Sequence, residues 1–264
     1  MLLVHNSPFT NVTANGMATL SLPIGMTYNK IILALGGTTF TKSMITLISV
    51  KLNGKIMYQE TGSRLDSINQ YRGLTANASY LTIDFTEPRA KTMIEQYMGN
   101  VNTAAKVSTL TIEVTIAGAT APTLDSYSEL GPPAPLGVLA KHIPFTQAFA
   151  AAGKFPMKLI DITNRGGLIK RVHFAHGGNL TAVEVKKNGI VIHDSPSTAL
   201  MSFYQGEFNK TAQTNIYTYD PCADNNYSNA VKTADATALD FNPTFSAADN
   251  VTAVVEILDL LGNM

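Results

Sequence analysis

The sequence predicts an all-β protein made of two tandem domains, and three observations predict it. The 264-residue chain repeats itself. Lys30-Ile31-Ile32-Leu33-Ala34-Leu35-Gly36-Gly37 and Val50-Lys51-Leu52-Asn53-Gly54-Lys55-Ile56 return as Lys170-Arg171-Val172-His173-Phe174-Ala175-His176-Gly177-Gly178 and Val185-Lys186-Lys187-Asn188-Gly189-Ile190-Val191. The spacing of about 135 residues is too long for a solenoid repeat and fits two copies of one domain. The recurring segments are also short, β-branched and bounded by glycine, as strands are. Helical periodicity is confined to brief insertions, which excludes a doubly wound parallel sheet.

In the first half, Met17 to Ile24 alternates apolar and small polar residues, the period of a half-buried strand. Pro23 lacks a ladder donor, so this strand ends there or lies at an edge. Tyr28 to Leu35 and Met44 to Leu52 follow as strands, and Asn53-Gly54 is a strong hairpin signal that recurs as Asn188-Gly189. Ser63 to Tyr71 reads as two helical turns. Ser79 to Phe85 and Val107 to Ile116 are further strands. Between them, Thr86-Glu87-Pro88 reads as a helix start, with Ala90, Met93, Ile94 and Tyr97 at helical spacing and Gly99 as the stop. That stripe is expected to pack on a sheet.

Gly118 to Gly137 reads as the boundary. Its core, Gly131-Pro132-Pro133-Ala134-Pro135-Leu136-Gly137, lacks three donors and forms a stiff spacer. The expected organisation is a domain over 1–130, a connector over 131–137 and a domain over 138–264. Pro8-Phe9-Thr10 and Pro144-Phe145-Thr146 open the two halves.

The second half offers strands at Phe155–Ile162, Leu168–Ala175, Leu180–Lys187 and Ile190–His193, and a helix near Pro196 to Tyr204. A strand within Ala212–Tyr219 and a loop-rich stretch over Tyr219–Thr237 follow. Asn250 to Leu258 closes the domain and matches Ser108 to Ile116 in pattern. Each half thus has seven or eight short strands with helical insertions, the pattern of a sandwich. Thr38 to Met44, shorter in the second half, and Tyr219–Thr237 are the main asymmetries.

Nineteen basic residues balance nineteen acidic ones, and charged residues are 14% of the chain, against about 25% in ordinary soluble proteins. No basic excess exists to hold nucleic acid, and net charge near zero favours association. Cys222 is the only cysteine, so no intrachain disulfide forms. The N-terminus lacks the basic start and length of a signal peptide, and no apolar run reaches the roughly 18 residues of a membrane span. Six Asn-x-Ser/Thr triplets are then by-products of an Asn- and Thr-rich composition. Synthesis in a cytoplasm without glycosylation is expected.

The sites of chemistry are few. His173 and His176 lie three apart on a strand, so they face opposite ways and do not converge on a metal. Asp220, Asp224, Asn225 and Asn226 make an oxygen-rich loop that could hold a structural calcium. The competing reading is a turn in which Asp and Asn bond their own backbone. Glu60, Asp66, Asp84 and Glu87 include no pair whose separation the sequence fixes, as glycoside hydrolysis requires. Gly36-Gly37-Thr38-Thr39 lacks the lysine of a phosphate loop.

Leu20-Ser21-Leu22-Pro23-Ile24-Gly25-Met26-Thr27-Tyr28-Asn29-Lys30-Ile31 and Arg64-Leu65-Asp66-Ser67-Ile68-Asn69-Gln70-Tyr71 resemble stretches of a viral coat family. With the duplication and stiff connector, the chain resembles the double-jelly-roll major capsid proteins of the adenovirus-like lineage. Within it, the likeness is to the corticovirus-type coat proteins of small, icosahedral, membrane-containing bacteriophages. The resemblance implies two eight-stranded jelly rolls and a homotrimer with six similar lobes, tiling a shell around an internal lipid membrane. Its partners would be neighbouring capsid trimers and the vertex and membrane proteins of the virion, with no direct nucleic acid. The virion is the implied location, after assembly in the host cytoplasm. No catalytic residue or cofactor is implied. Two alternatives stand beside it. One is a carbohydrate-binding or carbohydrate-active protein using Tyr58, Tyr71, Tyr80, Tyr204 or Tyr217. The other is a bicupin-like metalloenzyme.

Overall fold

Asn53-Gly54 and Asn188-Gly189 place two consecutive residues in the left-handed region, at φ 51° and 78° in the first turn and 52° and 79° in the second. Such turns match the twist of the strands they join. In the computed structural model, which describes residues 2–159 and 166–263, the two asparagines do more than turn the chain. The Asn53 side-chain oxygen accepts from the amides of Ser108 (2.7 Å) and Thr109 (3.3 Å), and its Nδ2 donates to the Lys106 carbonyl at 2.9 Å. Asn188 repeats the set with the amides of Thr237 (2.8 Å) and Ala238 (3.1 Å) and the Asp235 carbonyl at 2.8 Å. Each hairpin is thereby fastened to the strand that lies beside it.

The chain divides into two compact units. The first comprises Met1–Gln70, Leu74–His142 and Leu260–Met264, and the second comprises Tyr71–Gly73 and Ile143–Asp259. The first holds β1 (Leu2–His5), β2 (Gly16–Leu22), β3 (Thr27–Thr39), β4 (Ile45–Leu52), β5 (Lys55–Glu60), α1 (Gly62–Tyr71), β6 (Tyr80–Asp84), α2 (Met93–Tyr97), β7 (Val101–Asn102), β8 (Leu110–Ile116) and β9 (Thr120–Gly131). The last residue of α1 counts with the second unit. Next comes β10 (Leu139–Phe149), of which residues 139–142 count with the first unit. The second unit continues with β11 (Gly153–Lys154), β12 (Leu168–Ala175), β13 (Leu180–Lys187), β14 (Ile190–His193), α3 (Thr198–Gly206), β15 (Ile216–Tyr219), β16 (Val231–Lys232), β17 (Leu239–Phe245) and β18 (Asp249–Asp259).

In the first unit one layer runs β1-β9-β3-β6, with β7 also on β3, and the other runs β5-β4-β8-β2. In the second the layers are β10-β18-β12-β15, with β16 also on β12, and β11-β17-β13-β14. Apart from the short β7 and β16, the described residues of each unit form eight strands wired alike. First, eighth, third and sixth strands form one layer; second, seventh, fourth and fifth form the other. That order is the jelly roll. Each roll has its own core. Leu20, Ile31, Leu33, Ile48, Val50, Ile83, Ile112 and Val114 fill the first, and Val172, Phe174, Val183, Val185, Phe241, Phe245 and Val255 fill the second. Full burial of such side chains contributes about 1.5–3 kcal/mol each.

The wiring corrects two expectations. Within the boundary read over Gly118–Gly137, Thr120–Gly131 is a twelve-residue strand seated between β1 and β3. Its inward positions include Ser126 and Ser128, buried at 1% and 0% exposure, so no apolar alternation marks it. Asn6 satisfies both hydroxyls, each at 2.9 Å. The last strand of the chain therefore corresponds to β9, while β8 corresponds to β17. The expected match of Asn250–Leu258 with Ser108–Ile116 was one strand out of step.

The helix expected from Pro88 starts late. Thr92 caps Met93–Tyr97 in a reciprocal capping box with Glu95. Met93 and Ile94 are 77% and 79% exposed, so the stripe does not pack on a sheet. The segment is too short to turn a face inward. Elsewhere β2 ends at Leu22 as an edge strand, and β12, β13 and β14 have the expected bounds. The strand expected in Ala212–Tyr219 is confined to β15. Of the strand expected at Phe155–Ile162, Phe155 and Met157 bond β17 beyond β11, and its end lies outside the described residues. Pro8-Phe9-Thr10 follows β1 whereas Pro144-Phe145-Thr146 lies within β10, so this part of the repeat is not equivalent. Among the described residues no helix is long and apolar enough to cross a membrane.

Candidate functional site

The equivalent strand pairs β3–β9 and β12–β18 each carry a charged pair just after a register shift. Lys30 faces Glu129 in the first unit and Arg171 faces Glu256 in the second. The Lys30 ammonium lies 2.9 Å from Glu129, with both side chains partly wetted. The second pair is buried and extended into a network. Arg171 donates from Nη1 to Glu256 at 2.6 Å and from Nε to Asp220 at 3.2 Å, and it also bonds the Tyr227 hydroxyl. Tyr71 donates to the same Asp220 oxygen at 2.9 Å. Burial, then the Asp220 carboxylate, holds the Tyr71 hydroxyl well above the ordinary phenol range.

His173 completes the network. Its Nε2 lies 3.0 Å from Glu256 and its Nδ1 lies 2.9 Å from the Thr218 hydroxyl. Both ring nitrogens thus have a partner. Lys170 stands 3.7 Å from Glu256, so two cations face two carboxylates in a dry interior. Buried charge is tolerated only when paired and hydrogen-bonded in this way. The sequence signals were Lys170-Arg171 and His173 within an otherwise apolar strand, yet the partners Asp220, Glu256, Tyr71 and Tyr227 come from distant segments.

The oxygens of the loop considered for calcium are engaged, some locally and some with distant residues. Asp220 Oδ1 accepts from the Cys222 amide (2.9 Å) and Asp224 Oδ1 from the Asn226 amide (3.0 Å). Asn225 Oδ1 accepts from Lys210 Nζ (2.7 Å) and Asn226 Oδ1 from Ser228 Oγ (2.7 Å). The structure brings Asp220 to Arg171, not to Asp224 as a fellow ligand. Among the described residues no three His, Cys, Asp or Glu side chains gather as a metal site. His176 accepts from the Gly178 amide through Nδ1 at 3.0 Å, apart from the His173 network. Of the scanned carboxylates, Glu60 pairs with Arg64 and Asp66 with Lys42. Asp84 accepts from the Thr86 amide at 2.9 Å. Tyr58, Tyr71 and Tyr217 are buried, which leaves Tyr80 and Tyr204 exposed in different units.

Two of the clefts among the described residues have the size of a small-ligand site. One of about 420 Å³ in the second unit is lined by His176, Met201, Gln205, Asn215 and Tyr217 among others. One of about 400 Å³ in the first is bordered by Asn29, Tyr97, Asn100, Asn102 and Pro132. Neither assembles a nucleophile with a base or a convergent ligand set. The exposed apolar surface is more distinctive. Leu2 and Leu3 on β1, Ile190, Val191 and Ile192 on β14, and Leu200, Phe203 and Tyr204 on α3 all face outward. Each is a short local run of exposed apolar side chains, of the kind found at contact surfaces.

Comparison with known proteins identifies the family. The model of the viral coat protein P2 N-terminal domain matches residues 4–131, and that of the P2 C-terminal domain matches residues 139–261. Among solved structures, the major capsid protein P2 from Bacteriophage PM2 superposes with a TM-score of 0.90 at 21% identity, covering 98% of this chain and 97% of that one. The STIV MCP gives 0.72 at 13% identity, covering 98% and 96%. The PBCV-1 virus capsid gives 0.61 at 8% identity, covering 99% and 95%. A search of curated proteins finds no match.

Proposed function

The chain belongs to the viral coat protein P2 family, and from that premise we propose that it assembles as a homotrimer of pseudo-sixfold outline that tiles an icosahedral shell. It is a capsid protein of the virion, and its role is structural, not enzymatic. The observation that carries the proposal is the complete duplication of the roll within one chain. Two like rolls per chain give a threefold oligomer six similar lobes, which suits hexagonal packing under closed symmetry. The weak charge and the exposed apolar strands support assembly through large, mostly uncharged interfaces. Neighbouring trimers, vertex proteins and membrane proteins of the virion are the proposed partners, and an internal lipid membrane the proposed content. Calcium at Asp220, Asp224, Asn225 and Asn226 would have to displace the bonds those side chains already make.

Light scattering on purified protein tests the trimer. A particle of trimer mass is expected, and a monomer at every concentration would overturn it. Electron microscopy of assembled material tests the shell and the membrane within it.

A further inference from the structure

Resting on the trimer proposed above, we infer that β14 of one copy pairs edge to edge with β1 of the next. β5 and β14 are the same strand of the repeat. Each follows an Asn-Gly turn, and the register slips at Val50/Lys51 in one hairpin and at Val185/Lys186 in the other. Met57 is thus equivalent to Ile192, and Tyr58 to His193.

The outer edge of β5 is taken. His142 of β10 pairs with Tyr58 in parallel, and the two rings stack with centroids 4.4 Å apart. Met57 is fully buried there. The outer edge of β14 is open, since β14 ends its layer among the described residues. Ile190, Val191 and Ile192 are 69%, 43% and 42% exposed. An edge strand with three successive exposed β-branched residues and no lysine or proline is a template for another strand.

β10, which covers β5, is the first strand of its roll, and its counterpart is β1. β1 also ends its layer, with Leu2 and Leu3 54% and 62% exposed. Each chain therefore has two first strands and two fifth strands. One of each meets at His142 and Tyr58, and the remaining two, β1 and β14, are complementary by the same rule. Joining them between copies makes a heterologous contact, which closes into a ring when its rotation permits. Main-chain bonds would supply the register, and Leu2, Leu3 and Ile190–Ile192 the apolar burial.

Charges placed on the two edges test this. Ile192→Lys and Leu3→Glu, each alone, should convert the trimer to a monomer with circular dichroism and melting unchanged. The double variant sets Lys against Glu at every junction and should regain the trimer, a recovery that damaged folding would not produce. Single variants that stay trimeric would overturn the pairing while leaving the trimer intact, and so would a double variant that stays monomeric. A wild-type monomer would remove the trimer itself, and the inference with it. Should a single variant unfold, the Leu3→Cys/Ile192→Cys chain decides instead. Oxidation should give interchain disulfides up to trimer mass, and monomer alone would overturn the inference.

Discussion

The two rolls place a cation opposite a glutamate at the same point of the same strand pair, and then treat it differently. In the first unit Lys30 and Glu129 form a single, partly exposed pair. In the second, Arg171 and Glu256 lie fully inside, tied to Asp220, His173, Tyr71 and Tyr227. Asp84 and Asp220 are equivalent too, each capping the amide two residues on. The frame of the duplication, including its bulges, turns and charge positions, is thus retained while its surroundings diverge. A planar guanidinium can serve several acceptors at once, whereas an ammonium suits the single wetted partner. A buried network is weak evidence for added stability, because desolvation offsets the attraction. What it does is make each member costly to remove.

The largest expected difference between the units follows from that. Glu256→Ala should destabilise the second unit by about 3–5 kcal/mol, since it takes a carboxylate from the buried Arg171, Lys170 and His173. Glu129→Ala should cost about 1 kcal/mol or less, as a wetted pair does. Hydrogen exchange resolved along the chain would read both, with β12 and β18 losing protection in the first variant. Equal losses in the two units would break the comparison.

Acid separates the units next. Tyr58 of the first corresponds to His193 of the second, and burial pushes His193 down to about 4. A histidine lowered on folding contributes its full share above its unfolded value near 6.5. That share is lost as pH falls from about 6.5 towards 4, because the unfolded chain takes up the proton first. The loss should stay below about 3 kcal/mol, as the ring keeps some contact with water. Protection in β14 and β15 should therefore fall over that range, and His193→Gln should flatten the dependence. An unchanged profile in that variant would assign the acid sensitivity to another group.

Third in size are the two Asn-Gly turns, where the units should behave alike. Asn53→Gly and Asn188→Gly keep the left-handed backbone but remove the side-chain bonds to the neighbouring strand. A loss of about 1–2 kcal/mol is expected from each, given about 0.5–1.5 kcal/mol per bond. Urea titration of both variants would check that the losses match. A twofold disparity would show that the fastening is not equivalent after all.

These turns were also the most legible part of the sequence, because a positive φ and an apolar run on each side leave few residue choices. Strands β12, β13 and β14 could be read to the residue for the same reason, being β-branched and bounded by glycine. β9 could not, since Ser126 and Ser128 fill inward positions and depend on Asn6, some 120 residues away. Placing the boundary from Gly118 left that strand unread and shifted the alignment of the final strands. The buried network was invisible as a set: Arg171 and His173 stood out in their strand, but only the fold brings Asp220 and Glu256 to them. The Asp220–Asn226 loop shows the opposite case, as residues close in sequence direct their oxygens to separate partners.

The smallest effect concerns the two helices that each unit places outside its layers. α3 buries Met201 and Gln205, with Gln205 donating to the Thr218 carbonyl at 2.8 Å. α2 buries none of its residues; its capping box and the bonds of Gln96 to Glu87 and Ala90 hold it. Ile94→Lys should therefore change the stability of the isolated chain by less than about 0.5 kcal/mol, as surface substitutions do. Met201→Lys should cost several times more, since it forces a charge into the second core. Thermal melting of the two variants measures the contrast. A clear loss from Ile94→Lys in the monomer would mean that α2 packs on its roll. A normal melt combined with weakened assembly would instead place Ile94 at a contact between copies, since a side chain with 79% of its surface in water has nothing within its own unit to lose.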